Sequence, residues 1–86
     1  MINKVALEIH RKFASQVGAH AVATPVNIDA ILEYCEIAKP RRVLELGGGI
    51  GTLSYTVLTH SGANLDIYEE DSFCRSRLAQ NTVQWS

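Results

Sequence analysis

Arg42-Val43-Leu44-Glu45-Leu46-Gly47-Gly48-Gly49-Ile50-Gly51-Thr52-Leu53-Ser54 decides the fold. Val43, Leu44 and Leu46 make a short apolar run suited to a parallel strand covered by other elements. Glycines at 47, 49 and 51 then let the backbone turn tightly and come close to a ligand. The helix expected next points its free N–H groups and positive dipole end at that ligand. This is the expected layout of a small-molecule site at the carboxyl end of a strand.

Outward from this stretch, Leu65-Asp66-Ile67-Tyr68 reads as a second strand ending in Glu69-Glu70-Asp71. Leu53, Val57 and Leu58 keep helical spacing between the strands and stop near Ser61-Gly62. Strand, glycine turn, helix and strand form a βαβ crossover, the unit of doubly wound sheets. Asp71 or Ser72 can cap a further helix with Phe73, Leu78 and Val83 inward. Upstream, Thr24 as cap and Pro25 at the first helical position open a helix whose core face is Ile28, Ile31, Leu32 and Cys35. Lys39-Pro40 closes it, because the residue before proline is pushed out of the helical region. Arg41 and Arg42 that follow read as a solvated approach to the strand rather than a phosphate site. At the N-terminus Ile2, Val5, Ile9, Phe13 and Val17 recur at steps of three and four, predicting a helix over 2–17 that Gly18 stops. Ala19 to Ala23 reads as a loop. The expected organisation is therefore an N-terminal helix and loop (1–23), then a partial α/β unit (24–86).

The chain has 86 residues, enough for one small domain, and its 47% apolar content is that of a globular protein. Eight basic against nine acidic residues give a net charge of −1, which indicates neither a nucleic-acid footprint nor a membrane-surface patch. No apolar run approaches a membrane span, and the N-terminus lacks the unbroken apolar core of a secretory signal. The two cysteines, Cys35 and Cys74, have no metal-ligand spacing and read as small apolar residues in helices, with a reducing cytoplasm as the expected compartment. No metal site is expected. His10, His20 and His60 are not paired as ligands or bases, and Tyr55 and Tyr68 read as packing residues with a wet hydroxyl.

A carboxylate at Glu69 stands beside the glycine turn and can accept hydrogen bonds from both hydroxyls of a ribose. That points to a nucleoside-bearing ligand. A dinucleotide fingerprint G-x-G-x-x-G counted from Gly47 meets Thr52 at its third glycine, and counted from Gly49 meets Ser54. The pattern E-x-G-x-G-x-G is matched at every fixed position by Glu45, Gly47, Gly49 and Gly51.

With that match the chain resembles the class I S-adenosylmethionine-dependent methyltransferases over about residues 24 to 82. The resemblance implies an incomplete Rossmann-like doubly wound fold, with two parallel strands and N-terminal helices. It implies S-adenosylmethionine as cofactor, with Glu45 near its methionine end, Gly47, Gly49 and Gly51 against its methionine and ribose portions, and Glu69 on the ribose hydroxyls. The residue after that acid flanks the adenine in the family and is often apolar there; in this chain it is Glu70. The helix opened by Thr24-Pro25 is similar to that of small-molecule O-methyltransferases of the caffeoyl-CoA and catechol type, which implies a small-molecule acceptor. In the family the substrate pocket and any base or metal follow the third and later strands. The 86 residues therefore read as the cofactor-binding portion of a methyltransferase, incomplete as an enzyme on its own. A bare sheet face and open edges imply self-association or a truncated copy of a longer chain. The alternatives are an NAD(P)-binding Rossmann fragment of an oxidoreductase and a non-catalytic interaction module.

Overall fold

The computed structural model describes residues 2–85, and side chains as far as 81. The elements run α1 (Lys4–Val17), a 3-10 turn (Ala19–Ala21), α2 (Pro25–Ala38), β1 (Arg42–Leu46), α3 (Thr52–His60), β2 (Asn64–Tyr68) and α4 (Ser72–Trp85). β1 and β2 pair in parallel, with Arg42 opposite Asn64 and Leu46 opposite Tyr68, and α3 is the crossover between them. This is a small α/β fold with an open two-stranded sheet.

The helix ends follow local chemistry. Asn3 caps α1 by accepting the Val5 N–H at 2.8 Å, so the helix begins two residues later than the apolar spacing predicts. Thr24 Oγ1 accepts the Asn27 N–H at 3.2 Å with Pro25 in the first turn, as the sequence leads one to expect. Lys39 ends α2 in the left-handed region (φ 47°, ψ 58°), its N–H donating to Cys35 O at 3.1 Å. Asp71 Oδ2 accepts the Cys74 N–H at 2.9 Å and so caps α4.

The main core joins Ala6, Ile9 and Phe13 of α1, Val22, Ile28 of α2 and Ile50 of the glycine turn. The N-terminal helix therefore shares its core with the turn. Phe13 meets Tyr55 edge-on at 5.4 Å between ring centroids, and the Lys12 ammonium lies 4.3 Å from the Tyr55 centroid. A second cluster of Cys35, Val57 and Ala63 packs with Ile31, Val43 and Leu65, and so covers one face of the sheet.

Several expected positions are corrected. The inward row of α1 is Ala6, Ile9 and Phe13, while Ile2 and Val5 are exposed. The expected loop 19–23 contains a 3-10 turn and buries Val22. Leu58 of α3 is exposed, and the buried face of that helix carries hydroxyls: Thr52, Ser54 and Thr56 beside Val57. On α4 Leu78 is buried as expected, but Phe73 is exposed and Asn81 turns inward; the Val83 side chain lies outside the described residues. Tyr68 is 63% exposed rather than packed. No helix among the described residues is long and apolar enough to cross a membrane.

Candidate functional site

The carboxyl ends of β1 and β2 and the turn that follows each make the candidate site. Gly47, Gly49 and Gly51 have φ of 71°, 59° and 104°, values that L side chains rarely adopt, and the turn from 47 to 51 is not helical. Gly48 is glycine for a different reason. A Cβ there would stand 2.3 Å from Ile67 Cγ2, so the turn lies directly on β2.

The turn is bonded inward at each of these glycines. The Gly47 and Gly48 N–H groups both donate to Tyr68 O, at 2.8 and 3.2 Å, extending the strand pairing past its end. The Gly51 N–H donates to Gly48 O at 3.1 Å. The Gly49 N–H donates to Glu69 Oε1 at 2.7 Å, and the Asp71 N–H donates to Glu69 Oε2 at 2.7 Å. These two amides hold the Glu69 carboxyl below the ordinary glutamate range, because they favour its charged form. Each oxygen keeps further acceptor capacity for a ligand. Arg75 Nη1 donates to the backbone carbonyls of Glu70 (2.7 Å) and Glu69 (3.2 Å) and fixes the acidic corner from below.

A shallow cleft of about 290 Å³ opens here, lined by Leu46, Gly47, Tyr68, Glu69 and Glu70. The structure thus brings Gly47, Glu69 and Glu70 to one cleft and ties Gly49 to Glu69. Gly51 is buried at the start of α3. Glu45 does not line this cleft. Strand alternation turns it to the helix-covered face, beneath the glycine turn, where it accepts a hydrogen bond from the fully buried Ser54 Oγ. Burial pushes its carboxyl above the ordinary glutamate value, and the Ser54 bond opposes that only in part.

A cleft of about 470 Å³ lies at the opposite, amino ends of the strands, among Cys35, Glu36, Lys39, Arg41, His60 and Gly62. Size does not make it the site. Lys39 there follows the C-terminal end of α2, where a cation complements the helix dipole, and His60 is the last residue of α3. The Cys35 thiol is buried and its pKa is raised by that burial, so it is not an activated nucleophile. His10 Nδ1 is 2.9 Å from Ala23 O and His60 Nδ1 is 3.2 Å from Thr56 O, while His20 is exposed. Among the described residues no group of three His, Cys, Asp or Glu could hold a metal ion.

Sequence reading missed Gly48, Ser54, Arg75 and Asn81. Asn81 was legible in principle, because Cys74, Leu78 and Asn81 follow the four-three spacing of an inward helix face. Gly48 and Ser54 depend on which strand residue lies across from them, and spacing along the chain does not report that. No protein-family model, curated protein or solved structure matches the chain.

Proposed function

We propose that the chain is the S-adenosylmethionine-binding portion of a Rossmann-like class I methyltransferase acting on a small-molecule acceptor. The observation that carries the reading is Glu69. Its carboxylate, bonded to Gly49 of the turn after β1, stands at the carboxyl end of the neighbouring parallel strand, where a ribose would be held. In this reading Glu69 accepts the ribose hydroxyls, Gly47 gives the backbone close approach, and Glu70 faces the adenine side.

Charge favours this cofactor over a dinucleotide. The corner carries three successive acids, Glu69, Glu70 and Asp71, and the guanidinium of Arg75 is engaged with backbone carbonyls. A pyrophosphate would meet like charge there, and the N–H groups of Gly47, Gly48, Gly49 and Gly51 that could cradle it already donate to protein acceptors. A ligand with a sulfonium, an ammonium and ribose hydroxyls suits the same corner. The bound cofactor would supply an electrophilic methyl group, and the protein's part is to hold the donor in line with an acceptor. Glu45, turned away from the cleft and bonded to Ser54, supports the floor of the turn in this reading rather than touching ligand.

The exposed side chains of Leu44, Leu46 and Tyr68 favour a second element of the reading. A further layer, from a second copy or a longer chain, covers that sheet face and completes the acceptor pocket. The free cysteines suit a cytoplasmic setting.

Titration calorimetry with S-adenosylmethionine and with NAD tests the reading. S-adenosylmethionine is expected to bind, and Glu69→Ala to weaken it by about tenfold or more, the effect of losing charge-assisted hydrogen bonds. Binding of NAD alone, or a Glu69→Ala variant as tight as the parent, overturns it. Binding of neither ligand by the folded protein leaves the non-catalytic interaction module in its place.

A further inference from the structure

Asn81 lies on α4, outside the cleft, yet is 6% exposed and bonded to the glycine turn. Its Nδ2 donates to Ile50 O at 2.9 Å and to Gln16 Oε1 of α1 at 3.3 Å. A carbonyl can only accept, so the amide nitrogen, not the oxygen, must face Ile50.

Ile50 O belongs to the same peptide plane as the Gly51 N–H, which donates to Gly48 O at 3.1 Å. Gly48 O in turn shares a plane with the Gly49 N–H, which donates to Glu69 Oε1 at 2.7 Å. Asn81, the Ile50–Gly51 peptide, the Gly48–Gly49 peptide and Glu69 therefore form one chain of hydrogen bonds, each pointing the same way. Bonds in such a chain polarise one another, and the final acceptor is the carboxylate of the cleft. Both planes flank residues at positive φ, Gly49 and Gly51, where the backbone has the fewest steric restraints and most needs an external tether.

We propose that Asn81 is a positioning residue for the cofactor site: through the Ile50–Gly51 and Gly48–Gly49 peptides it sets the turn and the donor that holds Glu69 in place. The assignment of a cofactor to that site rests on the reading above; the relay itself does not. Asp71, Glu70 and Arg75 also face the Glu69 corner, and none of them bonds to Asn81.

Asn81→Leu keeps the branched shape, adds bulk and removes the donor, leaving Ile50 O without its partner. Two readouts apply to the full chain labelled with nitrogen-15 and carbon-13. In the variant the Gly49 amide proton is expected to move upfield, as its hydrogen bond weakens. The Glu69 carboxyl is expected to titrate at higher pH than in the parent. S-adenosylmethionine binding should weaken by about tenfold, the scale of one buried hydrogen bond and its orphaned acceptor. Gln16→Leu, which spares the Ile50 bond, should change binding by less than about twofold and leave Gly49 unmoved. A merely structural Asn81 would lower the melting temperature without shifting Glu69. Where Asn81→Leu does not fold, Asn81→Ser, too short to span to Ile50 O, gives the same measurements. An unchanged Gly49 resonance and Glu69 titration in the folded variant overturns the relay. A parent that binds no S-adenosylmethionine while Gly49 and Glu69 still respond to Asn81 overturns the cofactor reading and leaves the relay standing.

Discussion

The two faces of the sheet are built from the same two strands and could hardly differ more. On one face Val43, Glu45, Leu65 and Ile67 lie under helices and the glycine turn. On the other, Leu44, Leu46 and Tyr68 are 60%, 74% and 63% exposed, with Arg42, Asn64 and Asp66 between and beside them. Apolar content does not separate the faces, since both carry leucine-sized side chains. What separates them is contact. On the covered face Gly48 lies directly on Ile67 and Ser54 bonds to Glu45, whereas on the bare face the side chains meet only their cross-strand neighbours, Leu44 beside Asp66 and Leu46 beside Tyr68.

The largest test of that contrast is Gly48→Ala. The new Cβ would meet Ile67 Cγ2 at 2.3 Å, and that methyl sits on a branched Cβ in a paired strand, with little room to yield. Overpacking of this kind costs about 1–3 kcal/mol, read as a lower denaturant midpoint. Combining it with Ile67→Ala removes the clash, so the double variant should lose less than the sum of the two single ones. Strict additivity would mean that the turn does not rest on Ile67.

Glu45→Gln is the middle case, and its sign depends on pH. The folded carboxyl is raised above its ordinary value of 4.5, so the folded state binds the proton more tightly than the unfolded state. The parent should therefore lose stability relative to Glu45→Gln as pH rises from about 4.5 through the raised folded value, and keep it below. Glu69 and Asp71 run the other way: both are lowered by backbone N–H donors, and their contribution is lost as pH falls through their folded values. Melting temperatures of parent and Glu45→Gln across pH 3 to 8 isolate the Glu45 contribution, because Glu69 and Asp71 are common to both. A constant difference would mean that Glu45 is not desolvated.

The smallest effect belongs to the bare face. Leu44→Asn and Leu46→Asn should each change the stability of the monomer by less than about 0.5 kcal/mol. The same changes should reduce any self-association seen by sedimentation velocity, because they remove the apolar patch. A large loss of monomer stability would show that this face is covered within the chain.

The sequence was most readable where chemistry is local. Thr24-Pro25, Lys39-Pro40, Gly18 and Asp71 announce helix ends through side chains and backbone within a few residues, and each helix end falls beside them, although Lys39 adopts the left-handed rather than the extended region. The alternation of β1 and β2 was readable as strands, and the carboxyl-end position of Glu69 followed from parallel pairing. Partners across space were not readable. Glu45 matches a cofactor-binding pattern at its position, but the pleat turns it toward Ser54, nine residues on and in another element. α3 misled for a related reason: its buried hydroxyls find acceptors, Thr56 on Thr52 O of the same helix and Ser54 on Glu45 of β1, so they enter the interior without an apolar pattern to mark them. Phe73 failed as an inward residue because the capped start of α4 sets the rotation of that helix, and the four-three row through Cys74 and Leu78 wins over a single aromatic.

Helix α3 closes its own last turn. Thr59 Oγ1 donates to Tyr55 O at 2.7 Å, Ser61 Oγ to Val57 O at 2.7 Å, and His60 Nδ1 stands 3.2 Å from Thr56 O. A helix of nine residues would ordinarily fray at such an end, where carbonyls wait for water. Of the last four carbonyls Val57 O receives Ser61 Oγ, and the first residue of β2 is tied to the residue before β1 through Asn64 N–H on Arg41 O at 2.8 Å. The exit of the crossover is thus anchored on both sides, to α3 through Ser61 and to the approach of β1 through Asn64. Opening α3 and parting the strands are then expected to be one event, and amide exchange in both should report one common free energy of opening.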